Sequence, residues 1–108
     1  MRVIFLGKNR DRLSIIAAIL EAVNVGVCKT RIMVMANLSF SLLEKYLSIV
    51  AGAGFIRVEG DKYKLTERGR EFLKQYRLFN ERYAGARKLL EVLSYERDKL
   101  ALMCEDAR

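Results

Sequence analysis

Cations and hydroxyls dominate the reactive side chains of this sequence. Lys29, Thr30 and Arg31 stand together, Asn37, Ser39 and Ser41 follow, and Arg57, Lys62 and Lys64 form a second basic group. Donors of these types are suited to phosphate oxygens, where charge-assisted hydrogen bonds are strong and carry no base information. Other chemistries lack their residues. Histidine is absent, and with it the commonest general base and neutral metal ligand. Cys28 and Cys104 are too few and too far apart for a zinc site or a disulfide framework, so a reduced, cytosolic protein is expected. Cys28 reads as a buried cysteine without chemistry. No carboxylate pair has a spacing suited to acid–base work, and Gly52, Gly54 and Gly60 make helix ends and a turn rather than a phosphate loop. The expectation is a protein that is not an enzyme, with no metal, no cofactor and no small-molecule substrate.

The charge balance agrees. Twenty Lys and Arg against thirteen Asp and Glu leave +7, a potential that attracts polyanions, with nucleic acid foremost. Most of the excess lies early: Met1 to Leu65 holds ten basic and five acidic residues, whereas Thr66 to Arg108 holds ten and eight. The apolar run Val3 to Leu6 is far too short for a signal segment or a membrane span, so no membrane partner is expected.

These side chains need elements to position them. Arg2 to Leu6 suits a short strand or an ordered arm. Leu13, Ile16, Ala17 and Leu20 recur at helical spacing between about Arg10 and Val23, with Asn9 or Asp11 as cap. After Gly26 a short helix runs from Lys29 or Thr30 through Ile32, Met33 and Met35 to Ala36. Ser39, or Ser41 with Glu44, caps a third helix that buries Leu42, Tyr46, Leu47 and Val50 and stops before Gly54. Phe55 to Val58 and Tyr63 to Leu65 alternate as strands around Gly60-Asp61, which suits a type II′ turn. Ile56, Val58, Tyr63 and Leu65 then share one face, and Arg57, Lys62 and Lys64 the other. This is the order of a winged helix-turn-helix, a mainly α fold with a small β hairpin.

From Thr66 to Met103 one long helix is expected. Phe72, Phe79, Ala86, Leu93 and Leu100 repeat every seven residues, beside Tyr76, Tyr83, Leu90 and Arg97. The stripe is narrow and, at 1.5 Å per residue, runs for roughly 55 Å, so its natural partner is a second copy. Large side chains fill its first half and leucines its second, around Gly85-Ala86; an antiparallel pairing centred near Ala86 sets Phe79 against Leu93 and Tyr83 against Leu90. Arg97 then lies near Tyr76 of the other copy. The expected division is residues 1–65 as head and 66–108 as dimerisation helix.

The residues add a family likeness. Lys29-Thr-Arg-Ile-Met-Val-Met-Ala-Asn-Leu-Ser39, Lys45-Tyr-Leu47, Gly54-Phe-Ile56, Tyr63-Lys-Leu-Thr-Glu-Arg-Gly-Arg-Glu-Phe72 and Arg77-Leu-Phe-Asn-Glu81 together resemble the archaeal 10a family. Its members are small, basic, dimeric DNA-binding proteins counted among archaeal chromatin components. The resemblance implies a winged helix joined to a C-terminal helix that pairs as an antiparallel coiled coil, with heads at opposite ends. Residues Val3-Ile-Phe-Leu6 depart from the basic arm of that family.

On duplex DNA the third helix would enter the major groove with Ser39, Phe40, Ser41, Glu44, Lys45 and Ser48. That set offers few bidentate base contacts, whereas Lys29, Thr30, Arg31, Asn37, Arg57, Lys62 and Lys64 suit phosphates. Phe40 reads as an apolar staple within the head rather than a contact to a thymine methyl. The expected function is a cytoplasmic, largely sequence-independent double-stranded DNA binder that organises chromosomal DNA by bridging or coating duplexes. A sequence-specific winged-helix transcriptional regulator is the alternative, and a protein-binding scaffold a third.

Overall fold

The computed structural model describes residues 11–24 and 26–106. The strand or arm expected at Arg2 to Leu6 lies outside the described residues. In chain order the elements are α1 (Arg12–Val23), α2 (Lys29–Ala36), α3 (Phe40–Gly52), β1 (Ile56–Glu59), β2 (Lys62–Leu65) and α4 (Glu67–Asp106). This is the expected winged helix-turn-helix followed by a long helix. The backbone divides into two compact units, Met1–Gln75 and Tyr76–Arg108, so the opening turns of α4 belong to the first.

Asp11 caps α1, its carboxylate accepting from the Ser14 amide at 2.8 Å. The helix is apolar on most of its circumference, and Ile19, Leu20 and Val23 are wholly buried, as befits the central helix of a small core. Leu13, in the first turn, stays 45% exposed at the edge of that core. Ile32 and Ala36 are the buried residues of α2, while Met35 faces outward.

Between α2 and α3 the chain turns by 107°, within the range of a helix-turn-helix. Asn37 makes this possible. It takes the left-handed conformation at φ 55°, and the Leu38 amide reaches back to the Met33 carbonyl at 3.1 Å, which closes the last turn of α2. Ser39 then starts α3, accepting from the Leu42 amide at 3.2 Å, so the alternative cap at Ser41 is not used. Leu43, Tyr46, Leu47 and Val50 face the core. Leu42 was expected there and instead remains on the rim, because the stripe through Tyr46, Leu47 and Val50 continues back to position 43 at helical spacing. At the far end Gly54, with φ 80°, and the bond from the Phe55 amide to the Val50 carbonyl repeat the closure seen in α2.

Strands β1 and β2 are antiparallel, with Ile56 opposite Leu65, Arg57 opposite Lys64, Val58 opposite Tyr63 and Glu59 opposite Lys62. Of the two turn residues only Gly60 has positive φ, which fits the type II′ turn. Ile56 and Leu65 are buried, yet Val58, on the same face, is 57% exposed. The inner face is therefore covered only at its base. Val27 adds a third partner, exchanging hydrogen bonds with Tyr63 at 2.8 and 3.2 Å.

The junction with α4 is tightly built. The Thr66 hydroxyl donates to the Gly54 carbonyl at 2.6 Å and accepts from the Gly69 amide at 3.0 Å, joining the end of α3 to the start of α4. Arg68 donates to the Ala53 carbonyl at 2.9 Å and lies over the Phe55 ring. Gly69 approaches so closely that a Cβ there would stand 2.2 Å from the Phe55 carbonyl oxygen. Phe72 rests on Phe55 with ring centroids 4.8 Å apart, and Leu73 is buried.

In the second unit α4 continues to Asp106. Phe79, Leu90, Leu93 and Leu100 are all exposed, as is Ala86, and Tyr83 stacks beside Phe79. Leu89, Val92 and Met103 are exposed too, so the apolar surface of the later turns is wider than the narrow stripe read from the heptads. No single described helix is long and apolar enough to cross a membrane.

Candidate nucleic-acid interface

Three elements of the first unit carry the candidate cations. The start of α2 carries Lys29, Thr30 and Arg31; α3 carries Ser41 and Lys45, with Ser39 at its cap; the hairpin carries Arg57, Lys62 and Lys64. All of these are exposed or half-buried. Asn37, exposed at the turn, and Ser39, capping α3, both serve the backbone of the helix-turn-helix itself.

The cations differ in how they are held. Lys29 makes an ion pair with Glu44 of α3, and its ammonium also lies 5.3 Å from the Phe40 ring centroid. The hydrogen bond to Glu44 holds the Lys29 ammonium above its ordinary pKa, outweighing the opposing cost of desolvation. On the hairpin, Arg57 donates to Glu59 at 2.7 Å and Lys64 approaches the other carboxylate oxygen at 3.2 Å. Hydrogen bonds from Arg57 and then Lys64 keep Glu59 below its usual range. The wing carries Arg57, Lys62 and Lys64 against Glu59, which pairs with two of them, and Asp61 at the turn. Arg31 and Lys62 have no described carboxylate within ion-pair distance. Lys45 lies over the Tyr46 ring, with its ammonium 5.6 Å from the centroid.

Sequence reasoning missed these two carboxylate partners. Glu59 was visible in the alternation, which puts it on the face of Arg57, and Lys64 joins once the register sets it opposite Arg57. The Lys29–Glu44 pair joins two helices and had no sequence signal. Phe40 also differs from expectation: its ring is 60% exposed instead of packed as a staple, because the core-facing stripe of α3 begins at Leu43. Cys28, expected inside, is exposed at the cap of α2.

Of the residues assigned to the helical seam, Phe72 is placed against Phe55 in the first unit, and Tyr76 is half-buried. Phe79, Tyr83, Ala86, Leu90, Leu93 and Leu100 lie in the second unit. Among the described residues no group of His, Cys, Asp and Glu is arranged to hold a metal ion.

Comparison with known proteins matches the geometry. Residues 9–83 fit the sequence model of the winged helix-turn-helix family. An uncharacterized protein of Methanocaldococcus jannaschii is 36% identical over 72 residues, spanning 65% of this chain and 74% of that one. Among solved structures the fold is similar to the crystal structure of Sso10a-2, a DNA-binding protein from Sulfolobus solfataricus. The TM-score is 0.61 at 24% identity, over 78% of this chain and 97% of the other. The likeness read from Lys29 to Ser39 and from Tyr63 to Phe72 thus has a counterpart in fold.

Proposed function

The chain belongs to the winged helix-turn-helix family, and from that premise we propose that it is a dimeric, largely sequence-independent binder of double-stranded DNA that organises chromosomal DNA. The observation that carries the reading is that α2, α3 and the wing all carry solvent-accessible cations, with α3 set off from α2 by a 107° turn. A helix-turn-helix presents its second helix to the major groove. Here that helix is α3, and its polar face has one lysine, no arginine and no amide side chain. Phosphate contacts therefore outnumber base contacts, and affinity without strong preference follows. The likeness in fold to Sso10a-2, itself a DNA-binding protein, supports the same reading.

Dimerisation rests on α4. Its exposed leucines and Phe79 lack cover among the described residues of one protomer, and an apolar stripe at heptad spacing is buried by pairing helices. Charge selects the direction. From Glu67 to Leu90 there are seven basic and three acidic residues, whereas from Glu91 to Asp106 there are two and five. An antiparallel partner sets each acidic half beside a basic half, and a parallel one sets like against like. The last turn holds Glu105 and no cation, the reverse of what a helix C-terminus favours alone. Residues 1–65 would then serve as the DNA-binding head and 66–108 as the dimerisation helix.

Titration of the protein with random and promoter duplexes at several salt concentrations tests the reading. Comparable affinities that fall steeply with salt are expected; a strong preference for one site that survives high salt would replace it with the second reading, a sequence-specific regulator. That second reading is favoured by one observation, the exposure of Phe40 and Glu44 on α3.

A further inference from the structure

We propose that Glu44 is a base-selecting residue, admitting cytosine or adenine opposite its carboxylate and disfavouring guanine or thymine, with Phe40 reading a neighbouring thymine methyl. The inference rests on the reading of the head as a duplex-DNA binder and adds a modest preference to it.

Lys29, Phe40 and Glu44 form one cluster. The Lys29 ammonium pairs with the Glu44 carboxylate and lies over the Phe40 ring, joining α2 to the first turns of α3. Phe40 and Glu44 are four residues apart, hence on one face of the helix, separated by about 6 Å. A carboxylate on the face that meets a polyanion is repelled unless something compensates it, and in the free protein Lys29 does so. On a duplex, phosphate oxygens compete for that ammonium. The carboxylate is then an acceptor without its donor.

Major-groove chemistry decides what can take its place. Cytosine N4 and adenine N6 present amino donors, whereas guanine O6 and N7 and thymine O4 present acceptors. A carboxylate facing an acceptor stays unsatisfied as well as repelled, so Glu44 discriminates chiefly by exclusion. Ser41, Lys45 and Ser48 do not impose this choice, because hydroxyls adapt and one ammonium offers no bidentate contact. Phe40, with a large apolar ring 60% exposed, meets the methyl of a thymine about one or two base-pair steps away. If Glu44 served only as a surface partner for Lys29, its removal would change affinity equally for all sequences.

Recovering bound duplexes from a random-sequence pool, using the full chain and its variants, separates these outcomes; affinity for unselected duplex is measured alongside. Wild type is expected to enrich cytosine or adenine at one fixed position by about fivefold, the equivalent of a single discriminating contact. Glu44→Ala, at an exposed position, loses that enrichment and binds unselected duplex more tightly. Glu44→Gln shifts it toward adenine, which an amide contacts at both N6 and N7. Phe40→Ala loses thymine enrichment at the neighbouring step and retains the rest. Lys29→Met weakens unselected binding but keeps the Glu44 preference. A flat wild-type pool, or a pool unchanged by Glu44→Ala, would overturn the inference while leaving DNA binding intact. Recovery of no duplex by any of these proteins would overturn the DNA-binding reading, and the inference with it.

Discussion

Gly69 and Glu59 show how single residues set the head. The Phe55 carbonyl oxygen would lie 2.2 Å from a Cβ at position 69, and Leu65 Cδ1 2.8 Å. A backbone oxygen cannot swing aside as a flexible side chain would, so α4 or the base of the wing must shift. Gly69→Ala should destabilise the head by about 2–3 kcal/mol despite its better helix propensity, as read from urea unfolding. Glu59 adds a pH-dependent contribution. Its folded pKa is lowered by Arg57 and Lys64, so its contribution to stability is full above the ordinary glutamate value of 4.5 and fades as pH falls through the lowered value. Glu59→Gln should lose less stability than wild type between neutral and acid pH, with urea midpoints at pH 7 and pH 3 as the measure. Local signals made the caps legible: Asp11, Ser39 and Gly54 act where their types and neighbours placed them. Glu44 was not legible as a partner of Lys29, because the two lie on different helices and only the turn at Asn37 brings them together.

At the scale of elements, α4 carries the main prediction. Leu93 is 49% exposed in the protomer, so an aspartate there adds no buried charge to a lone chain. In the proposed antiparallel pair it places charge in the seam. Leu93→Asp should halve the mass measured by light scattering and reduce helical circular dichroism, since an unpartnered helix of this kind is marginal in water. The continuous helix was legible from its heptads. What periodicity does not encode is the identity of the covering surface. Phe72 fits the heptad, yet it packs on Phe55, and Leu73 beside it is buried in the first unit. Leu89, Val92 and Met103 add a breadth that two heptad rows did not describe.

For the molecule as a whole, the two linked heads of the proposed dimer should bind with twice the electrostatic contribution of one. With five or six phosphate contacts per head and a slope of about −0.9 each, wild type should show about double the salt slope of monomeric Leu93→Asp. Its affinity at low salt should also be higher through effective concentration. Fluorescence anisotropy on a duplex long enough for two heads, repeated across salt, measures both. The head's architecture was readable because order, caps and alternation agreed with one another. The link from Val27 to the wing was not, since a single paired residue after Gly26 has no period. That small link bears on how the head opens. Two strands of four residues make a ribbon that on its own would fray readily. Val27 ties the ribbon to the loop after α1, a helix in which Ile19, Leu20 and Val23 are wholly buried. The Tyr63 amide, bonded to the Val27 carbonyl, should therefore exchange its hydrogen with deuterium nearly as slowly as the amides of Ile19 and Leu20. The wing would then open only when the core does, and the surface it offers to a partner would be kept as long as the fold itself.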